Sequence, residues 1–145
     1  MTELVLVKAV ACRPLRHDVL GPHQPAEACV YADDDLDTSL HLAIKKGKAT
    51  VGVLSMYRHE RDGLGSEVWR VRGMAVPEDE RRKGHGRQLL LAAQAVAEKR
   101  GGGMWCNARS SAAPFYEAFG FRALGEPFAI DGLGEHVIMS WRPKP

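Results

Sequence analysis

The sequence predicts an α/β protein: one domain over residues 1–145, built on a single mixed β-sheet with few helices. Three observations predict it. Short β-rich runs outnumber helix-period runs, and they follow the order β-α-β-β-β-α-β-α-β-β. The 145 residues suit one domain, which at that size buries roughly 68–70% of its unfolded surface without a staple. A strand-like run (Val68, Trp69, Val71, Met74, Val76) passes through a basic, glycine-containing turn into a helix-period run. The strand after such a βα unit should lie parallel to the strand before it.

Glu3 to Val10 is β-rich and predicts a first strand. Leu15, Val19 and Leu20 have helical spacing, with Pro14 suited to a first turn, so Cys12 to Leu20 predicts a short helix. Gly21 to Asp37 is rich in Pro, Gly, His and Asp and predicts a long irregular connection. Thr38 to Lys46 alternates, with Leu40, Leu42 and Ile44 on one face and His41 and Ala43 on the other, as in a half-buried strand. Lys46-Gly47-Lys48 is a hairpin turn, Ala49 to Tyr57 the returning strand, Arg58 to Gly65 a polar turn, and Ser66 to Val76 the third strand of the meander. Gly84 to Arg100 carries Leu89, Leu90, Ala93, Val96 and Ala97 on one face, and Gly101 is a natural terminator. Met104 to Asn107 is a short apolar strand. Ser111 to Phe119 reads as a second helix, capped by Ser110 or Ser111, with Pro114 in its first turn and Gly120 at its end. Phe121 to Leu124 begins another strand, Gly125 to Glu135 is a glycine-rich connection, and His136 to Trp141 is the last strand.

Hydrophobic residues make up 45% of the chain and charged residues 26%, the balance of a soluble globular protein. The net charge of 20 − 18 = +2 is too small to argue for nucleic-acid binding. Cys12, Cys29 and Cys106 are an odd number without C-x-x-C spacing. That favours reduced thiols in a cytoplasm over a disulfide framework or a zinc site, so no metal is expected. Neither a signal-type leader nor an 18-residue apolar stretch is visible, so no membrane partner is expected.

The turn Arg81-Arg82-Lys83-Gly84-His85-Gly86-Arg87 is built to hold an anion. Amides at a helix start and the helix dipole favour negative charge, and glycine lets the main chain approach a ligand. Read alone, two glycines also suit a plain tight turn. The pattern lacks the G-K-[ST] of a nucleoside-triphosphate loop and the third glycine of a dinucleotide fingerprint.

The turn resembles the pyrophosphate loop of the GNAT superfamily of acyl-CoA N-acyltransferases, (Q/R)-x-x-G-x-(G/A), with Arg81, Gly84 and Gly86 in the defining places. Met74-Ala75-Val76-Pro77 looks like that family's strand ending in V-x-P. The resemblance implies a GNAT-like domain whose strands splay around an acyl-CoA cleft. The loop backbone from Arg81 through Arg82, Lys83, Gly84, His85, Gly86 and Arg87 would hold the CoA pyrophosphate, and the backbone at Met74, Ala75 and Val76 would run beside the pantetheine arm. Downstream, Phe115-Tyr116-Glu117-Ala118-Phe119-Gly120-Phe121 matches the family's F-Y-x-x-x-G-F signature; read alone it is a core helix with Phe115 and Phe119 packed inward. By resemblance, Tyr116 would protonate the departing CoA thiolate and Asn107 would contact the cofactor arm. Several further segments look like the ElaA-like branch, among them Leu15-Arg16, Cys106-Asn107-Ala108-Arg109 and His136-Val137-Ile138-Met139. The resemblance implies acetyl-CoA as co-substrate, an amine acceptor, and a homodimer as an option. A non-catalytic acyl-CoA sensor or an interaction domain is the alternative.

Attack by a neutral amine on a thioester needs a proton acceptor. Glu67 starts the strand before the loop but stands nine residues from Val76, roughly 30 Å of extended chain. Asp35, His41, Arg72, Glu135 and His136 are other polar candidates, with a hydrogen-bonded structural role open to each histidine. The acidic run Asp33 to Asp37 could attract a cationic amine or be a solvated turn. Cys106, in an apolar run, reads as a buried small hydrophobe rather than a nucleophile.

Overall fold

A computed structural model of the chain describes residues 1–65 and 67–144. Among them are seven strands: β1 (Thr2–Val7), β2 (Leu40–Lys46), β3 (Ala49–Tyr57), β4 (Trp69–Ala75), β5 (Met104–Arg109), β6 (Arg122–Ile130) and β7 (Gly134–Trp141). The α-helices are α1 (Arg13–Leu15), α2 (His85–Arg100) and α3 (Ala113–Glu117). The strands form one open mixed sheet in the order β1-β2-β3-β4-β5-β7-β6, with the expected succession of elements. The chain's contacts group it into two compact units, Met1–Arg58 with Val71–Ala93, and His59–Arg70 with Gln94–Pro145.

In the first unit, β1, β2 and β3 pair antiparallel, with Leu4 opposite Ile44 and Leu42 opposite Leu54. β1 stops at Val7 rather than Val10, because Ala9–Ala11 closes a 3-10 turn through the Cys12 amide on the Ala9 carbonyl at 2.9 Å. The predicted helix from Cys12 resolves into α1 followed by a π-turn over Arg16–Leu20. The long connection holds a 3-10 turn at Ala26–Cys29, and β2 begins at Leu40 rather than Thr38. β2 is not half-buried as its alternation suggests. His41, Leu42, Ala43 and Ile44 are all buried. Cys12 shares a buried cluster with Ala43, Val53 and Ala75, flanked by Leu15, Val19 and Leu20, so the His41–Ala43 face also has a cover. Gly52 in β3 makes room for α2: a Cβ there would stand 3.1 Å from a Leu89 methyl.

In the second unit, β5 pairs antiparallel with β7 and β7 with β6. β4 enters this unit through Trp69 and Arg70, which pair parallel with Met104 and Trp105, the sense expected of a βα unit. β4 starts at Trp69, later than expected; the predicted start, Ser66, lies outside the described residues. Trp105 donates its indole N–H to the His59 carbonyl at 2.8 Å and meets the guanidiniums of Arg61 and Arg70, each 4.9 Å from its ring centre. Gly125 to Ile130, expected as a connection, belongs to β6. The turn-forming residues fall where the register with β7 slips, between Leu124 and Phe128; Gly125 (φ +77) and Pro127 make an irregularity within the strand instead of ending it. The second helix is shorter than expected: a 3-10 turn over Ser110–Ala112, then α3, neither with a side-chain cap.

Candidate active site

The loop between β4 and α2 is shaped by two left-handed residues, Arg82 (φ +64) and Gly84 (φ +85). A non-glycine residue there costs of order 1 kcal/mol and marks a backbone held by its surroundings. Gly84 is the last residue before α2, and its carbonyl accepts the first helical bond from the Gln88 amide at 3.0 Å. The amides of His85 and Gly86 therefore open the helix without carbonyl partners inside it. Their N–H groups and the dipole of a 16-residue helix favour an anion at this end.

The side chains around this loop do more than the basic run suggests. Arg81 folds back, donating from Nε to the Val76 carbonyl at 3.1 Å, which ties the loop to the strand that feeds it. Lys83 and His85 turn to Glu80, with Nζ and Nε2 at 3.3 and 3.0 Å from its carboxylate, and Lys46 approaches it at 3.7 Å. The His85 bond, with help from the lysines, holds the Glu80 carboxyl below its usual range. Glu80 carries this role without having stood out in sequence; its place three residues before a lysine and five before a histidine was the available signal. Arg82 and Arg87 are exposed, Met74 and Val76 half-buried. Ala75 is buried in the apolar cluster, so only its backbone can face a ligand.

The first unit also holds a polar network that sequence patterning did not assemble. Arg16 is fully buried and donates to Asp34 at 2.7 and 3.0 Å, to the Cys29 carbonyl at 2.9 Å, to Ser55 Oγ at 2.8 Å and to Tyr57 Oη at 3.2 Å. Tyr57 in turn donates to Asp34 Oδ1 at 2.5 Å. His41 Nε2 lies 2.8 Å from the Asp34 carbonyl oxygen and Nδ1 lies 2.6 Å from Ser55 Oγ. A carbonyl only accepts, so Nε2 carries the proton, and in the neutral ring Nδ1 accepts from the serine hydroxyl. Burial alone would raise the Asp34 carboxyl, yet bonds from Arg16, Tyr57 and the Tyr31 amide hold it down at about 2. Asp34 is thus fully engaged, while Asp35 and Asp37 of the same acidic run stay exposed. His41 has both ring nitrogens occupied, a structural role.

Tyr31 projects from the loop after this network. Arg16 and Arg72 guanidinium carbons lie 4.1 and 3.8 Å from its ring centre. Both guanidiniums thus pack over the phenol ring. Gly73, the next residue of β4, has φ +67, and a Cβ there would stand 3.0 Å from the Tyr31 ring and 3.1 Å from Arg16 Nε. Only glycine lets the stack reach the strand.

In the second unit, Asn107 on β5 presents a buried Oδ1 with no hydrogen-bond partner, and Ser110 Oγ, just past the strand, is likewise buried and unpartnered. Buried polar atoms left unpaired are uncommon and call for a ligand or water. Tyr116 is buried, with ring centres of Phe115 and Phe121 at 5.3 and 5.4 Å. The expected inward packing of Phe115 and Phe119 is reversed: those two rings, 5.1 Å apart, are half-buried, and Tyr116 and Phe121 go inside. Burial pushes the Tyr116 phenol well above its usual range, so it keeps its proton and can act only as an acid at ordinary pH. Burial also pushes the Cys106 thiol up to about 12, which disfavours the thiolate that a nucleophile needs. Of the other polar candidates, Glu67 is exposed before β4, Asp35 is exposed beside Arg13, and His136 Nδ1 sits 3.0 Å from the Gly134 carbonyl.

Known proteins resemble this chain in sequence and in fold. The family model described as an acetyltransferase (GNAT) domain matches residues 16–143. A Bacillus subtilis (strain 168) protein described as the uncharacterized N-acetyltransferase YitI is 33% identical over 141 residues, covering 96% of this chain and 95% of the relative. The crystal structure of Escherichia coli ElaA superposes with a TM-score of 0.79 at 22% identity, over 99% of this chain and all of that one. A Bacillus subtilis acetyltransferase in complex with CoA superposes with a TM-score of 0.72 at 18% identity, over 99% of this chain and 100% of that one.

Proposed function

Because the chain belongs to the GNAT family of acetyltransferases, we propose that it acts as a single catalytic domain that moves an acetyl group from acetyl-CoA directly to a primary amine, in the cytoplasm. The observation that carries this reading is the loop Arg81–Arg87, where two left-handed residues and the opening turn of α2 offer amides to an anion. The CoA pyrophosphate would sit on the backbone of Arg82, Lys83, Gly84, His85 and Gly86. Glu80 holds the Lys83 and His85 side chains in place, and Arg81 holds the loop to Val76. The pantetheine arm would take backbone bonds from Met74 and Val76. The unpartnered Asn107 Oδ1 fits an N–H donor such as an amide of that arm.

In the reaction the amine nitrogen forms a bond to the thioester carbonyl carbon, and the carbon–sulfur bond then breaks. The amine gives up one proton to solvent, the departing thiolate gains one, and the group that supplies it is reprotonated from solvent. Tyr116 would supply the thiolate's proton, since burial keeps its phenol protonated. No covalent acyl-enzyme is needed, consistent with the suppressed acidity of Cys106.

Calorimetric titration with acetyl-CoA tests the donor half. A dissociation constant below about 1 mM is expected, and absence of binding would remove the assignment. Release of free CoA thiol on addition of amines then separates an enzyme from an acyl-CoA sensor.

A further inference from the structure

The two arginines on Tyr31 differ in what neutralises them. Arg16 is paired with Asp34 on both of its terminal nitrogens. Arg72 has no carboxylate within ion-pair distance among the described residues; its recorded contact is the face of Tyr31. Arg13, close by, already lies 3.5 Å from Asp34 and 3.7 Å from Asp35. Arg16 and Arg13 therefore already take up the buried Asp34 and the 86% exposed Asp35, and neither carboxylate is paired with Arg72. The fully buried Arg16 adds a further donor, its Nε, which has no partner and lies beside Gly73. A half-buried arginine packed on an aromatic ring, with no carboxylate in ion-pair distance among the described residues, is arranged to receive a planar oxyanion.

Its place on β4 says which molecule would bring that anion. With the phosphates at the loop after β4, the arm runs back along the strand from Val76 to Met74, and its acyl end comes toward Gly73 and Arg72. Arg72 is two residues beyond Met74, about 7 Å at strand rise. That is the distance of a group a few bonds from the reacting nitrogen. We propose that Arg72 binds a carboxylate of the acceptor, so that the acceptor is an amine carrying its own carboxylate, as in an amino acid or a short peptide. The inference rests on the acyl-CoA reading above and narrows its acceptor. Arg72 is then a specificity-determining residue: it selects among amines without taking part in proton transfer.

The test uses the full chain saturated with CoA, titrated with N-acetylglycine, N-acetylleucine and N-acetylphenylalanine and with the C-terminal amide of each. At least one acid is expected to bind about tenfold or more tightly than its amide, the size of a charge-assisted interaction in a partly closed site. In Arg72→Gln the gap should close to within twofold while CoA affinity stays within twofold of wild type, and Arg72→Lys should keep part of it. Absence of an acid preference in every pair, including absence of binding, overturns the proposal. So does a preference that survives Arg72→Gln. The wild-type comparison stands even if a variant folds poorly. Failure of CoA itself to bind would instead remove the acyl-CoA reading, and this inference with it.

Discussion

Arg16 and Asp34 meet in a two-point ion pair closed to water, Nη1 to Oδ2 at 2.7 Å and Nη2 to Oδ1 at 3.0 Å. Each remaining valence of the pair is taken by a neighbour from elsewhere in the chain, except Arg16 Nε. Removing one partner leaves an uncompensated buried charge. Arg16→Met is therefore expected to lower the stability of the protein by about 3–5 kcal/mol, read from urea unfolding. A loss below 1 kcal/mol would mean that water reaches Asp34 in the folded state.

The same pair sets an acid limit. Asp34 sits at about 2 in the folded chain against an ordinary 3.8. A depressed carboxyl contributes stability that is fully present above the unfolded value and is lost as pH falls through the folded one. Unfolding midpoints should therefore drop between about pH 4 and pH 2. In Asp34→Asn this portion of the decline should disappear, from a lower starting stability.

At Gly84 a Cβ would meet no atom within 4 Å, yet φ is +85. Gly84→Ala thus tests backbone conformation without a clash. The expected cost is about 1 kcal/mol of stability. A rise of roughly tenfold in the KM for acetyl-CoA should accompany it, since the loop amides would be re-aimed. Unchanged KM would place the phosphates elsewhere.

Tyr116→Phe should lower turnover by about 10²-fold or more, measured as thiol release, and leave the dissociation constant for CoA within about twofold. Because burial raises the phenol, no loss of turnover from Tyr116 ionisation is expected below the ordinary tyrosine range. Equal turnover in the phenylalanine variant would leave the thiolate to another acid.

Cys12, Cys29 and Cys106 are all free and buried. A thiol reagent such as DTNB should label none of them rapidly in the native protein and all three after denaturation. Cys106→Ala should keep turnover near wild type; loss of activity without loss of fold would bring back a nucleophilic role.

The loop from Arg81 to Arg87, between a strand and a helix, was legible because it is local. Strand, loop and helix are contiguous, and Gly84 and the helix start record the backbone's needs within a few residues. The Arg16 network was not, because it joins residues 16, 34, 41, 55 and 57, and pairing across such separations leaves no periodic trace. Asp34 illustrates the difficulty: it is one of four aspartates between residues 33 and 37, and only burial distinguishes it from exposed Asp35 and Asp37. His41 and Ala43 looked like the wet side of a strand because alternation reports side, and cannot report that both sides are covered. The end of the chain was misjudged for a related reason. Gly125 and Pro127 usually break strands, and here the slipped register absorbs them.

That slipped register bears on how the protein behaves at high concentration. β6 is an outermost strand, exposed along nearly its whole length, and it displays Leu124 and Phe128. Such an edge would ordinarily recruit the edge of another molecule and seed aggregates. Proline at 127 offers no N–H to an incoming strand, and the kink at Gly125 breaks the straight run that a ladder needs. The residues that disguised β6 in the sequence are those that guard it against self-assembly.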